Sequence, residues 1–421
     1  MKLMKSSDVL HVIERTLDYV DPRLAGHGAG VSYIVMCVLR NLGTYEQKDI
    51  QEAMGLALMH DIGAYKTEEI DNLVFETAHV WEHAIYGALF LRTFSPLGSK
   101  ASIVALHHLP YEEYPFINPP LKDDDLSGLI CIADRAELYL RNHSIEECLA
   151  HLLKYKYTLF SPFWIDAFFA ANEKENILSK IKTLSYREEA ADYIANLHFT
   201  QDEKARYLSL IAYSIDFRSH FMVLHTVTTV SVSIVLAKLA HLDEENQRKI
   251  RFGALLHDIG KVATPVEILE KPGRLTNSEM EIMRKHVVLT KDIIDGYVAP
   301  DIVNIAVRHH EKLDGSGYPL GLNAEDLNTN ERIVAVADVV SALIRKRSYK
   351  EAYDKENTIH IIKSMSDENK LCPVICKLVL DNFDFIIKES TEYGADITQK
   401  YESIQCEFKN ALSQVHIHFE N

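Results

Sequence analysis

The sequence predicts an all-α protein built as two tandem helical bundles. Three observations predict it: apolar residues recur at helical spacing along most of the chain, alternating strand patterns are scarce, and the chain repeats itself once. The helical spacing shows in Ile34, Val35, Val38 and Leu39, and again in Leu236, Leu239 and Ala240. At 421 residues the chain is too long for one ordinary core and long enough for two. A hydrophobic share of 47% beside 25% charged residues is that of a globular chain that folds without a partner.

The repeat is carried by His and Asp. His27 matches His225, His60 and Asp61 match His257 and Asp258, His83 matches His286, His107 and His108 match His309 and His310, and Asp134 matches Asp338. The offsets of 198, 197, 203, 202 and 204 residues drift only as insertions would make them. Neighbouring words agree: LMHDIG with LLHDIG, VALHHLPYEEYP with AVRHHEKLDGSGYP, CIADRAEL with AVADVVSAL. Breakers at Pro115 to Pro120 and at Asp314 to Gly321 put a loop after each His-His pair. The junction is placed near residue 195, between the helical run Tyr186 to Leu197 and a capping sequence, TQDE, at Thr200. The domains are therefore 1–195 and 196–421.

Composition limits the partners. Lys and Arg number 45 against 61 Asp and Glu, a formal charge of −16, which argues against wrapping duplex nucleic acid. A small anion remains acceptable where bound cations reverse the local field. Six cysteines without a CxxC pair read as reduced thiols, and Cys372 and Cys376, four apart, lack the His or Cys that would complete a zinc set. The start, MKLMKSSDVLHVIERTL, lacks the apolar core of a signal peptide. Phe221 to Ala237 is apolar but short for a span and carries five Thr and Ser. A cytoplasmic protein without a membrane segment is expected, and in it the sequon at Asn142 has no meaning.

Each half supplies five His and two Asp in fixed order. Neutral imidazole with carboxylate suits first-row transition metals, and seven donors exceed the needs of one ion. Two ions bridged by one carboxylate use them all, and such pairs activate water against a phosphoryl centre. The isolated His11, His79 and His241, and Met222 and Met283, read as core residues.

HDIGK at His257 to Lys261, HHEKLDGSGYP at His309 to Pro319 and RIVAVADVVSALIRKRSY from Arg332 resemble the HD-GYP branch of the HD phosphohydrolases, over about Arg218 to Tyr353. The resemblance implies two tandem HD-type bundles and a phosphodiesterase acting on cyclic dinucleotides. It implies that His225, His257, Asp258, His286, His309, His310 and Asp338 ligate metal, with Asp258 bridging two ions and a hydroxide between them as nucleophile. Lys261, three residues after Asp258, is expected at a nonbridging phosphate oxygen, and Gly317 and Tyr318 at the substrate. Asp314 and Arg332 are expected to brace the loop that holds them.

Trinuclear members carry a Glu where this chain has Phe221, so two divalent ions are expected, Fe, Mn or Ni ahead of Zn. The first half keeps a second set, His27, His60, Asp61, His83, His107, His108 and Asp134, but has Ala64 in place of Lys261 and no GYP loop. A metal-binding regulatory role is placed ahead of hydrolysis there. The tandem arrangement is similar to bacterial, especially Vibrio, phosphodiesterases acting on 3',3'-cyclic GMP-AMP. That substrate is placed ahead of cyclic di-GMP, with a linear 5'-phosphorylated dinucleotide as product. The competing readings are a nucleotidase or other phosphomonoesterase, and a nonenzymatic nucleotide-binding signalling protein. A homodimer is compatible with the sequence, which does not specify an oligomeric state.

Overall fold

The computed structural model describes residues 4–20, 22–64, 81–219, 224–344 and 353–419. Among them no strand occurs, only two isolated bridges, Lys156 to Phe160 and Asp314 to Asn323, and the expected all-α class holds. The chain clusters into two compact units: Val9–Tyr207 with Ile404–Asn421, and Leu208–Ser403 with Met1–Asp8.

The N-terminal unit is built on α1 (Ser6–Asp18), α2 (His27–Leu42), α3 (Gln47–Leu58), α4 (Trp81–Phe94), the short α5 (Ser102–Ala105) and α6 (Leu126–Asn142), followed by α7 (Ile145–Lys154), α8 (Pro162–Glu175), α9 (Ile177–Thr183) and α10 (Tyr186–Ile194). α2 is its axis, packed against α3 and α6 and buried from Gly30 to Leu39. Its apolar face meets the fully buried Trp164 and Phe168 of α8 in one core. Ends are set by local chemistry: Ser144 and Glu147 form a reciprocal capping box on α7, and Gly43, at φ 69°, ends α2.

Thr200 and Glu203 cap α11 (Gln201–Asp216) in the same reciprocal way, and the division between units falls within that helix. The C-terminal unit continues with α12 (His225–Leu239), α13 (Glu244–Leu256), the short α14 (Val266–Leu269), α15 (Asn277–Ile294), α16 (Pro300–Val307), α17 (Thr329–Ile344), α18 (Lys355–Asp367), α19 (Pro373–Asp381) and the start of α20 (Phe383–Phe419), whose residues from Ile404 cluster with the N-terminal unit. α12 repeats the role of α2, packing on α13 and α17. It accounts for most of the apolar run from Phe221 to Ala237. No helix among the described residues is long and apolar enough to cross a membrane.

His241 corrects one expectation: it is exposed, in the left-handed region at φ 54°, where the chain turns out of α12. His11 is half-buried beside Glu14, and His79, Met222 and Phe221 lie outside the described residues.

The glycine of each HDIG word fixes where the doublet sits. A Cβ on Gly260 would lie 2.0 Å from the His286 carbonyl oxygen, and one on Gly63 would lie 2.0 Å from that of His83. Only glycine lets the turn after each doublet press on the backbone of α15 or α4. Thr290 adds a clasp in the C-terminal unit, its Oγ1 accepting the Gly260 N–H at 3.0 Å and donating to the His257 carbonyl at 3.1 Å.

Candidate metal centres

Five elements converge on the C-terminal centre. His225 opens α12, His257 and Asp258 follow α13, His286 lies on α15, His309 and His310 follow α16, and Asp338 is midway along α17. Asp258 is their hub. Its Oδ2 is 3.5 Å from His225 Nε2 and 3.2 Å from His257 Nε2, while its Oδ1 is 3.3 Å from His286 Nε2 and 3.9 Å from His309 Nε2. Asp338 Oδ1 adds to the first group, 3.1 Å from His225 Nε2, and its Oδ2 faces His310 Nδ1 at 3.6 Å. The donors thus form two adjacent groups that share one carboxylate.

Whether these residues suit metal ions follows from their protons. His257, His286 and His309 each place Nδ1 at 2.6–2.7 Å from a backbone carbonyl, of Ala254, Met283 and Ala306. A carbonyl only accepts, so Nδ1 carries the hydrogen and Nε2 presents its lone pair to the centre. His286 and His309 then aim two lone pairs at each other across 3.4 Å. His257 Nε2 and Asp258 Oδ1 are buried with no hydrogen-bond partner. Orphaned acceptors converging in a dry pocket ask for a cation, and imidazole with carboxylate is the donor chemistry of a divalent transition metal.

The electrostatics agree at His225, His286, His309 and His310, while at His257 burial opposes the proton but the charge of Asp258 outweighs it and raises the pKa. Burial drives the pKa of His286 down to about 4 and that of His310 to about 3, so both are neutral near pH 7. Burial also opposes ionisation of Asp258, but His257 and Lys261 outweigh it and hold the carboxyl well below its usual range. Neutral imidazole and ionised carboxylate are the forms that ligate.

The N-terminal centre is the same construction. Asp61 Oδ2 lies 3.7 Å from His27 Nε2 and 3.4 Å from His60 Nε2, its Oδ1 lies 3.4 Å from His83 Nε2, and Asp134 Oδ1 lies 3.2 Å from His27 Nε2. His60 and His107 direct Nδ1 to carbonyls, and Asp61 Oδ1 and His107 Nε2 are buried without hydrogen-bond partners. In both halves the sequence-chosen donors come together: all but Asp338 fall into groups whose donor atoms lie within 4.8 Å of one another, and Asp338 Oδ1 stands 3.1 Å from His225 Nε2.

Around the donors the halves differ. Lys261 Nζ is 2.6 Å from Asp258 Oδ2. Its counterpart Ala64 instead walls a cavity of about 40 Å³ beside His27, His60 and Asp61. Tyr318 packs on His310, ring centroids 4.7 Å apart, and Arg284 lies 5.0 Å over the tyrosine's ring. Gly317 presses on backbone, since a Cβ there would lie 2.4 Å from Glu311 Cα. The loop is braced by Glu311, which accepts the Leu320 and Leu322 N–H groups, by Asp314, which accepts that of Ser316, and by Arg332, which donates to the Ala324 and Leu327 carbonyls.

Residues 24–147 and residues 209–373 each match an HD domain family. The chain is a tandem HD-domain protein. It is 26% identical over 399 residues, 90% of this chain and 91% of the relative, to a 3'3'-cGAMP-specific phosphodiesterase of Vibrio cholerae. It is 39% identical over 163 residues to a cyclic di-GMP phosphodiesterase response regulator of Xanthomonas campestris, a match covering 38% of this chain and 43% of that protein. A crystal structure of a cyclic GMP-AMP specific phosphodiesterase of Vibrio cholerae shares its fold, with a TM-score of 0.59 at 18% identity over 89% of this chain and 96% of the other.

Several residues of the tandem HD centres escaped the sequence comparison of His and Asp ligands. Asp18 Oδ1 accepts the Gly26 N–H at 2.7 Å, and Asp216 Oδ2 accepts the Thr226 N–H at 3.1 Å, each tying down the start of the helix that the first histidine opens. Their offset of 198 equals that of His27 and His225, a signal that was available. Burial, helped by the charge of Asp258, lifts the pKa of Asp216 to about 7. Arg135, Glu137 and Ser341 lie near the second Asp of their halves, and Arg135 Nη2 is 3.3 Å from His108 Nδ1.

Proposed function

We propose that this tandem HD-domain protein is a metal-dependent phosphodiesterase that opens 3',3'-cyclic dinucleotides in its C-terminal domain, with 3',3'-cyclic GMP-AMP ahead of cyclic di-GMP. The observation that carries the reading is Asp258, whose two oxygens face separate imidazole groups beside a lysine and an aromatic loop. The substrate class is that of the relatives it resembles along its length.

In this reading His225, His257, Asp258 and Asp338 hold one divalent transition ion and Asp258, His286, His309 and His310 the other, with Fe, Mn or Ni ahead of Zn. Ions bound there supply an acidified water and offset charge at phosphorus. Asp258 keeps the two positions in register. Lys261, on a flexible four-carbon stem, turns its ammonium from Asp258 to a nonbridging phosphate oxygen and steadies the charge that develops as the P–O3' bond breaks. The dinucleotide leaves linear, with its phosphate on the 5' oxygen. Tyr318, packed on His310 and near Arg284, offers ring surface on which a base stacks, and Gly317 keeps that loop close to its own backbone. The N-terminal set holds metal in a regulatory or structural role, lacking lysine and loop. All six thiols are free, in keeping with a cytoplasmic protein.

The test is elemental analysis of the protein joined to turnover on cyclic dinucleotides, linear dinucleotides and nucleoside monophosphates, with manganese or ferrous iron. Ring opening with metal in the C-terminal centre is expected. Preference for terminal phosphates would turn the reading to a phosphomonoesterase, and tight binding without turnover to a signalling receptor.

A further inference from the structure

The two centres differ sharply in what stands behind their first histidine. In the C-terminal centre Ser341 Oγ lies 3.1 Å from His225 Nδ1 and 3.2 Å from the His225 carbonyl oxygen, a neutral hydroxyl shared between ring and backbone. At the matching position of the other half Glu137 places Oε2 2.6 Å from His27 Nδ1. The correspondence is secure, because Glu137 and Ser341 are offset by the same 204 residues as Asp134 and Asp338.

Glu137 is built in. It is 6% exposed, and Arg141 grips it with Nε at 3.0 Å from both carboxylate oxygens and a terminal nitrogen at 2.8 Å from Oε1. Arg141 is itself anchored on the carbonyls of Arg23 and Ala25. Gly30 makes the room, since a Cβ there would fall 2.8 Å from Glu137 Cγ; its counterpart, by the offset of His27 and His225, is Thr228. Carboxylate, guanidinium brace and admitting glycine form one device in the N-terminal half, and a threonine and a serine replace it in the other.

We propose that Glu137 is a positioning residue that makes the N-terminal centre the tighter of the two metal sites, so that it keeps its ion when the C-terminal centre has been stripped. A carboxylate accepting the Nδ1–H aims the Nε2 lone pair at Asp134 and Asp61 and pushes electron density onto it, which a neutral hydroxyl does not do. A proton is the competing occupant of Nε2, but it carries half the charge of a divalent ion at the same place, so the carboxylate favours the ion. Lys261 tilts the ranking the same way: its ammonium crowds the C-terminal hub carboxylate, where the N-terminal centre has Ala64. The N-terminal centre has the guanidinium of Arg135, but that group lies 3.3 Å from His108 Nδ1 and 3.8 Å from Asp134, beside the centre's edge and not paired with the hub Asp61. The N-terminal ion becomes a resident part of the fold and the C-terminal ions exchangeable. This rests on the reading that both donor sets hold metal.

The experiment titrates manganese-loaded full-length protein with a chelator and measures the metal retained. Asp258→Ala reports the N-terminal centre and Asp61→Ala the C-terminal one. The N-terminal centre should release its ion at a chelator concentration roughly 10–100-fold higher. Glu137→Gln, close in shape but uncharged, should lower that midpoint by about tenfold or more while leaving the C-terminal midpoint and the far-ultraviolet circular dichroism unchanged. Equal or reversed midpoints for the two centres overturn the proposal even if Glu137→Gln does not fold, and so does an unmoved midpoint in a folded Glu137→Gln. Metal absent from both centres of active protein would instead remove the reading on which it rests.

Discussion

Beyond their seven shared donors, the C-terminal centre carries Lys261, Tyr318 and Arg284, whereas the N-terminal centre carries Ala64, Arg135 and Glu137. The first group reaches outward: His310, under Tyr318, has a quarter of its side chain exposed. The second group closes inward: His108 is buried, and Arg135 lies against it. The donors are fixed by helix starts, helix ends and one glycine per doublet, which both halves preserve. Reactivity depends on side chains one layer out, which are free to diverge without disturbing the ligand scaffold.

The largest effect expected is the asymmetry between the hub carboxylates. Asp258→Ala should lower ring opening by about 10³-fold or more, because it removes the oxygen pair that serves both ion positions. Asp61→Ala should leave turnover within roughly fivefold, its loss being felt in stability. Equal losses in turnover on a cyclic dinucleotide would break the division of labour between the halves.

Next comes Lys261, the cation for which Ala64 is the substitute. Lys261→Met should cost about 10²–10³ in kcat with bound metal unchanged, the range for removing one charge-stabilising group. A fall in metal content that tracks the fall in rate would show that the lysine serves the ions and not the phosphate.

A third contrast is between Asp216 and Asp18. Asp216 has its pKa raised from 3.8 to about 7 by burial and the neighbouring Asp258. The folded protein therefore keeps a proton that the unfolded chain has lost, and stability falls as pH climbs through that window. In metal-free protein Asp216→Asn, which still accepts the Thr226 N–H, should gain on wild type as pH rises from 5 to 8, by of order 3 kcal/mol. Asp18, also raised by burial but only partly enclosed, should give a smaller gain. Melting curves at the two pH values check this, and a pH-independent difference would show that the charge of Asp216 is relieved by other means.

Much of this was legible in the residues. The repeat of His and Asp at near-constant offset picked out both clusters that the fold brings together, because side chains suited to metal are few in type and their order along a bundle is fixed. The all-helical class followed from periodicity. What stayed hidden was whatever depends on contact across the fold. Glu137 looks like any helical glutamate until His27, 110 residues away, is found at 2.6 Å. Arg284 carries no motif, and only packing puts it over Tyr318. His241 misled because an apolar neighbourhood in sequence ended in a turn, where its left-handed backbone faces solvent. Asp18 and Asp216 could have been found, since they share an offset with the first histidines, but a comparison confined to ligand motifs passes over them.

The smallest effect expected belongs to the loop that only the C-terminal half owns. Tyr318 makes contacts through its ring, 4.7 Å from the His310 ring and 5.0 Å from the Arg284 guanidinium. If a substrate base joins that stack, Tyr318→Phe should leave the kinetics within about twofold, while Tyr318→Ala should raise KM roughly tenfold, in line with the 1–3 kcal/mol typical of base stacking on aromatic side chains. Arg284→Met should move KM in the same direction and by less, since the guanidinium is exposed and its attraction to the ring is screened by water. A fall in kcat with KM unchanged in Tyr318→Ala would assign the ring to orienting His310, and the loop would then belong to the metal centre and not to substrate recognition.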